Sequence, residues 1–195
     1  MISAQDVKKL RDMTGASMMQ CKKALEEGNG NFDEAIKIMQ KSGSKIANKK
    51  CGRDTAEGII GSYIHTDGKS GVLVEIDCET DFVARGEEFK EFAHDIAMHI
   101  LAMNPKYVTV DEINLDIIKE KKEEITESVK DEDKPADIIE KMIEGKVKKH
   151  FEETCLLTQP FVKDPNMTVG ALLTSKIAKF GENVKIKRFV KLEIQ

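Results

Sequence analysis

Aromatic residues are scarce in this chain, and tryptophan is missing altogether. Only 5% of its 195 residues are aromatic. Proteins that bind single-stranded nucleic acids stack bases on aromatic side chains, so this scarcity argues against that function. The sequence also lacks an apolar signal segment and any apolar run long enough to span a bilayer. We therefore expect a cytoplasmic protein with no membrane partner.

Closely spaced metal ligands and familiar catalytic motifs are missing too. The four cysteines, Cys21, Cys51, Cys78 and Cys155, form no CxxC pair and no zinc spacing. The chain contains no GxxxxGK[ST], GxGxxG, HExxH or GxSxG motif. Its four histidines are scattered, although sequence alone leaves a Cys–His nucleophile pair open. We expect no metal, no cofactor and no enzymatic activity.

Charge, by contrast, is plentiful and uneven. Charged residues make up 34% of the chain, and the net charge is −4. Residues 1–55 carry 11 Lys/Arg against 7 Asp/Glu, a net of +4, and the remainder carries a net of −8. A basic head could contact phosphates, but such a surface is more commonly a solvated helical face. We therefore expect no direct nucleic-acid partner.

The periodicity of apolar residues predicts an α+β fold with a small N-terminal module. Residues 1–43 read as three helices, of which the first two are capped by Ser3 and Ser17. A basic stretch at 44–55, which could be helical in part, is a linker candidate. The core domain then covers 56–195.

The predicted core is a small antiparallel three-stranded sheet packed on helices. Strands at 58–65 and 71–78 form a β-hairpin, and residues 87–102 form a helix with an apolar stripe. A last strand at about 183–194 completes the sheet. Its apolar residues are expected on one face: Val184, Ile186, Val190, Leu192 and Ile194.

A helical hairpin at about 112–153 is also predicted in the core. Its two charged helices are joined by residues 131–134, and Pro135 is suited to the first position of the second helix. That helix has a narrow apolar seam, which is typical of a projecting arm rather than of a core. The seam residues are Ile139, Ile143, Val147 and Phe151.

The segment CETDFVAR, residues 78–85, is the most informative in the chain. It lies between an apolar strand and an amphipathic helix, where a side chain can be held stiffly and still project. Phe82, beside Asp81, would suit a rigid wedge that enters a partner. The alternative is a helical turn whose Phe folds back into its own core. Position alone favours this alternative, because large apolar residues are usually buried.

The break between the first two helices, at residues 14–17, is a second candidate surface, with Arg11 beside it. If Met18 faces its own core, the neighbouring Met19 points about 100° away and can be exposed. An exposed methionine beside a glycine turn offers a soft contact surface, although both methionines could instead fill the core. His99 lies at the edge of an apolar stripe and reads as a rim residue that packs on its own domain.

These motifs resemble those of a known family. The run LRDMTGASMMQCKKAL, residues 10–25, closely resembles the N-terminal signature of bacterial elongation factor Ts. TDFVA at 80–84 resembles the second signature of that family. QPFV at 159–162, TVG at 168–170 and RF at 188–189 resemble its C-terminal region. The resemblance spans essentially the whole chain, and the single predicted core subdomain resembles the short form of the family.

The resemblance implies both a function and a wedge. Members of the family are guanine-nucleotide exchange factors for the GTPase elongation factor Tu in translation elongation. Asp81 and Phe82 match the pair that enters the partner near its Mg²⁺ and nucleotide site. Thr80 and Val83 match the frame of that pair.

The resemblance also implies further contacts with the partner. Arg11, Met18 and Met19 match contact residues of a three-helix module, similar to a ubiquitin-associated domain, that docks on the GTPase. His99 matches a histidine that helps the wedge. Short members work as homodimers, in which two chains together supply the complete surface for the partner.

Two other functions stay open. In a docking module without exchange activity, the N-terminal helices would bind a ubiquitin-like or peptide partner and the core would serve as a scaffold. In a small RNA-binding translation protein, the basic linker would contact RNA through Lys45, Lys49 and Lys50. Nucleotide exchange is the function that we expect first.

Overall fold

The computed structural model describes residues 2–14, 16–129 and 136–194 as a mixture of helices with small sheets. The α-helices are α1 (Ala4–Thr14), α2 (Met18–Glu27), α3 (Phe32–Lys50), α4 (Asp81–Ala84), α5 (Glu87–Met103), α6 (Leu115–Ser128), α7 (Ala136–Thr154) and α8 (Val169–Phe180). The strands are β1 (Glu57–Ile64), β2 (Ser70–Cys78), β3 (Pro160–Phe161), β4 (Asp164–Thr168) and β5 (Val184–Glu193). The predicted α+β class is confirmed.

The chain divides into two compact units. Unit 1 comprises Met1–Ile59, Ile76–Lys90 and Ala171–Lys185, and unit 2 comprises Ile60–Glu75, Glu91–Gly170 and Ile186–Gln195. The domain boundaries expected from the sequence stay a prediction. Helix α3 crosses the first of them, because it continues to Lys50.

The N-terminal helices of unit 1 begin where their capping residues predict. The backbone N–H of Asp6 donates to Ser3 Oγ at 3.1 Å, and Ser17 forms a reciprocal capping box with Gln20. Together α1, α2 and α3 enclose a small apolar core made of Val7, Leu10, Cys21, Ala24, Leu25 and Ala35. Gly15, in the predicted break, lies outside the described residues.

A three-stranded antiparallel sheet has the strand order β1-β2-β5. The apolar residues of β2 alternate as predicted, with Val72, Val74, Ile76 and Cys78 buried. In unit 2 the sheet lies close against α5, because a Cβ at Gly61 would stand only 2.7 Å from the Cβ of Ala93. The predicted stripe of α5 is buried: Phe89, Phe92, Ala93, Ile96, Ala97 and Ile100.

The sequence suggested that the apolar residues of β5 and the following Ile194 all lie on one face, but they do not. Those that are buried are Val184 and Ile186, and those that are exposed are Val190, Leu192 and Ile194. Lys187 and Arg188 are neighbours in the chain, yet both bind the carboxylate of Glu75. Strict alternation would place these two side chains on opposite faces. The alternation is therefore interrupted here, and the later apolar residues turn to the other face.

Helices α6 and α7 form the predicted antiparallel arm in unit 2. Near one end Ile125 and Val129 pack with Ile143, and near the other Ile113 packs with Phe151. The predicted seam is thus a line of small apolar clusters. The connecting residues 131–134 and Pro135 lie outside the described part of the chain.

Candidate partner-binding site

Residues 80–84, the wedge turn, present an exposed phenylalanine on an anchored turn. Thr80 caps helix α4 by accepting the backbone N–H of Val83 at Oγ1, 3.5 Å away. Ala84 is buried and Val83 is half-buried. Phe82 is 85% exposed, so it does not fold back into its own core. The alternative in which it fills that core is therefore wrong.

Charged groups flank Phe82 on both sides. Asp81 Oδ2 lies 3.0 Å from Nη2 of Arg85, one helical turn away. Both side chains are largely exposed, so the pair adds little to stability. It can exchange partners when another protein docks, which leaves the Asp81 carboxylate available for contacts at a binding surface.

Glu79, just before the wedge turn, is held firmly in unit 1. Its Oε1 accepts the backbone N–H of Asn183 at 2.6 Å, and its Oε2 lies 3.2 Å from Nη1 of Arg53. The Asn183 N–H, and then the Arg53 guanidinium, lower the pKa of Glu79 below its usual value. The end of β2 is thereby fixed where the wedge turn begins.

The predicted N-terminal contact residues lie on an exposed surface. Met19 is 83% exposed and Met18 is 41% exposed. Met18 therefore does not face its own core as the sequence suggested, and the alternative in which both methionines fill the core is also wrong. Arg11 and Met18 line one depression of about 520 Å³, together with Ala16, Ser17, Gln20, Ala178 and Lys179.

His99 is fully buried inside unit 2 rather than at a rim. Its Nδ1 accepts the backbone N–H of Val162 at 3.2 Å, so its Nε2 carries the proton toward Gln159 Oε1 at 3.0 Å. Burial lowers the pKa of His99, and the bond to Gln159 opposes this effect. Its expected contact with a partner stays a prediction, because the observed contacts of the ring are internal.

A second depression, of about 260 Å³, lies in unit 2 beside the arm. His150 is in its wall, and its pKa is lowered by burial first and then by the charges of Lys121 and Lys106. Within the described ranges, no group of three or more His, Cys, Asp or Glu side chains is placed to hold a metal ion. Nor does any helix described for this chain have the length and apolarity needed to cross a membrane.

The open face of the sheet in unit 2 carries a group of exposed apolar side chains, next to the ion pairs that Glu75 forms with Lys187 and Arg188. Ile60 and Ile64 alternate with the buried Gly61, and Leu73 lies between the buried Val72 and Val74, so all three point away from α5. With the exposed apolar residues of β5, and with Ile194 directly after it, they define the open sheet face: Ile60, Ile64, Leu73, Val190, Leu192 and Ile194.

Sequence reasoning missed the residues that hold the wedge turn in place. Arg53 and Asn183 are far from Glu79 in the chain, and no local pattern marks them as its partners. Comparison with known proteins identifies the family of this chain. The sequence model of the family described as "Elongation factor TS" matches residues 3–195. The chain belongs to the elongation factor Ts family.

Named members of the elongation factor Ts family are similar to this chain along nearly its whole length. "Elongation factor Ts" of Carboxydothermus hydrogenoformans is 52% identical over 194 residues, covering 100% of this chain and 89% of that protein. The protein of the same name from Fervidobacterium nodosum is 52% identical, covering 99% and 98%. That of Thermosipho melanesiensis is 52% identical, covering 100% and 99%. The predicted family is thereby confirmed, and with it the class of translation elongation factors.

Proposed function

We propose that this chain promotes the release of GDP from elongation factor Tu, and that Asp81 and Phe82 enter the partner beside its Mg²⁺ and nucleotide site. The exposure of Phe82 carries the proposal. An aromatic side chain that is exposed on an anchored turn loses little conformational freedom on binding and gains much buried area. Such a residue acts as a rigid wedge.

Burial of Phe82 alone does not supply the free energy that GDP release requires. Bound GDP gains affinity from Mg²⁺ and from the loops closed around it, so a wedge that displaces those loops weakens the binding of nucleotide and metal together. Coupling is reciprocal, and GDP must weaken the binding of the exchange factor by the same factor. A thousandfold loosening requires about 4 kcal/mol. Burial of one Phe contributes about 2–3 kcal/mol at most.

The remaining free energy comes from docking of the N-terminal helices and from a second copy of the chain. Arg11, Met18 and Met19 supply a cation and two polarisable side chains for contact with the GTPase. The open sheet face joins two chains into a homodimer, because an apolar surface of this kind is unfavourable in water. His99 contributes by holding the β3–β4 segment through Val162.

The proposed reaction makes and breaks no covalent bond, so this chain is an exchange factor rather than an enzyme and needs no cofactor of its own. The Mg²⁺ that is displaced belongs to the partner. We place the protein in the cytoplasm, where translation elongation occurs, with no nucleic acid or membrane as a direct partner.

Release of a fluorescent GDP analogue from elongation factor Tu tests the proposal. Wild type should accelerate release, and Phe82→Ala should lose most of that acceleration. Leu115→Ala, which truncates another exposed apolar side chain, should behave as wild type. If wild type does not accelerate release, the exchange function is wrong. If it does and Phe82→Ala matches it, the wedge assignment is wrong.

The same assay separates exchange from simple docking. A docking module would bind elongation factor Tu without accelerating release, and Met19→Ala would weaken binding while Phe82→Ala would not. An RNA-binding protein would instead show salt-sensitive RNA binding that is lost when Lys45, Lys49 and Lys50 are changed.

A further inference from the structure

Glu182, in the loop between α8 and β5, contacts the wedge turn twice. Its Oε1 accepts the hydroxyl of Thr80 at 2.7 Å, and its Oε2 accepts the backbone N–H of the same residue at 3.0 Å. Both residues belong to unit 1. Hydrogen bonds to a charged acceptor are stronger than those between neutral groups, and two of them fix the relative orientation of the two residues.

The contact with Glu182 determines how Thr80 caps the wedge turn. A threonine hydroxyl has only one proton to donate. Because that proton is directed to Glu182, the oxygen lone pairs are left to accept the backbone N–H of Val83. The carboxylate therefore sets the orientation in which Thr80 caps the turn that carries Phe82.

The loop that carries Glu182 is itself anchored to the end of α3. The Asn183 side chain donates to the backbone oxygen of Arg53 at 2.7 Å, and the Lys50 ammonium donates to the backbone oxygen of Gly181. Gly181 has a φ of 71°, which glycine adopts without strain. Asn183 is buried, so the loop cannot shift without breaking these bonds.

The negative charge of Glu182 also affects Cys78, which lies close to the wedge turn. Burial raises the pKa of the Cys78 thiol to about 11, and the negative charge of Glu182 is the next largest cause. The Glu182 carboxylate thus lies close to the junction of β2 and the wedge turn.

We propose that Glu182 is a positioning residue for nucleotide exchange, which holds Thr80 so that Phe82 is presented in its insertion-ready orientation before the partner arrives. The inference rests on the exchange function proposed above. A side chain held in its bound orientation loses less entropy when it inserts, so insertion is favoured. A turn that samples other orientations presents Phe82 in the orientation needed for insertion for only a fraction of the time.

The first test measures GDP release against exchange-factor concentration for Glu182→Gln and Glu182→Ala. Loss of a charge-assisted hydrogen bond should lower the maximal release rate by about tenfold. The concentration for half-maximal rate should change by less than about threefold, because Arg11, Met18 and Met19 still dock. Glu144→Gln, an exposed substitution on α7, is the matched control and should keep the wild-type rate.

The second test asks whether Glu182 acts through the turn. Thr80→Val removes the hydroxyl and should lower the maximal rate, whereas Thr80→Ser restores it. In a double-mutant cycle, Glu182→Ala should lower the maximal release rate only slightly further when Phe82 is already alanine. General damage to the fold would instead add to the loss caused by Phe82→Ala.

The outcomes separate this inference from the proposed function. If wild type fails to accelerate release, the exchange function itself is wrong. If Phe82→Ala is slow while Glu182→Gln and Thr80→Val both match wild type, the positioning role alone is overturned. The positioning role is also overturned if Glu182→Ala lowers the maximal release rate by the same factor in wild type and in Phe82→Ala. Should Glu182→Ala unfold, as thermal melting would show, the Thr80→Val and Thr80→Ser pair decides the question.

Discussion

Phe82 and Phe89 lie at opposite extremes of exposure although they are close in the chain. Phe82 is 85% exposed on the wedge turn, and Phe89 is fully buried on α5 with its ring centroid 5.7 Å from that of Phe180. The first side chain is held outward at no benefit to the fold of the isolated chain. It is therefore available for a partner, whereas the second stabilises unit 1.

We expect the two phenylalanines to differ sharply in their effect on stability. Phe89→Ala removes a buried ring and should lower the free energy of unfolding by about 3–5 kcal/mol. Phe82→Ala should change it by less than about 0.5 kcal/mol. Urea unfolding of both variants measures the difference. Equal destabilisation would mean that Phe82 is packed, and the wedge would lose its basis.

His99 links the stability of unit 2 to pH. Its pKa is lowered by burial, and the unfolded value is about 6.5. Between the lowered pKa and about pH 6.5, the unfolded chain binds more protons than the folded chain, so stability rises with pH. Stability should therefore fall as the pH drops below about 6.5.

Urea unfolding between pH 5.5 and 7.5 tests this effect. His99→Gln should be less stable overall but should show a smaller change across the window, because the titrating group is gone. His150, whose pKa is also lowered chiefly by burial, contributes in the same direction, so part of the change should remain. An unchanged pH dependence in His99→Gln would contradict the assignment.

At the scale of elements, two glycines in unit 2 should respond in opposite ways to alanine. Gly145 lies exposed within α7, where a Cβ would meet nothing within 4 Å. Gly145→Ala should stabilise the arm by about 0.5–1 kcal/mol, since alanine favours helix. Gly61→Ala would press against Ala93 and should cost about 1–3 kcal/mol. Thermal melting of both variants shows whether each change raises or lowers stability. Destabilisation by Gly145→Ala would contradict the expectation.

The elements themselves were mostly predictable, because their signals are local. Ser3 and Ser17 mark helix starts through bonds to residues three positions ahead. The end of α3 was less predictable. Gly43 lies within it and suggests a break, yet the helix continues past it. Gly43 is buried there, and a Cβ added to it would lie 3.6 Å from the Cβ of Ala178. That neighbour is distant in sequence, so no local pattern marks it.

At the scale of the whole molecule, the open sheet face should decide the oligomeric state. Light scattering should give twice the 21.9 kDa mass of one chain. Leu192→Glu places a charge on that face and should yield monomers, because burial of an unpaired charge is costly. Ile138→Glu, which changes an exposed apolar residue of α7, should stay dimeric. A monomeric wild type would contradict the homodimer.

The sequence by itself determined the α+β class, the helix caps, the alternation of β2 and the two signatures, since each depends on residues close together in the chain. Only the tertiary structure decided that Phe82 is exposed, that His99 is buried, and that β5 turns its last apolar residues to the open face. It also brought Glu182 to Thr80. Exposure and pairing depend on which distant segments pack together, and a linear pattern does not contain that information.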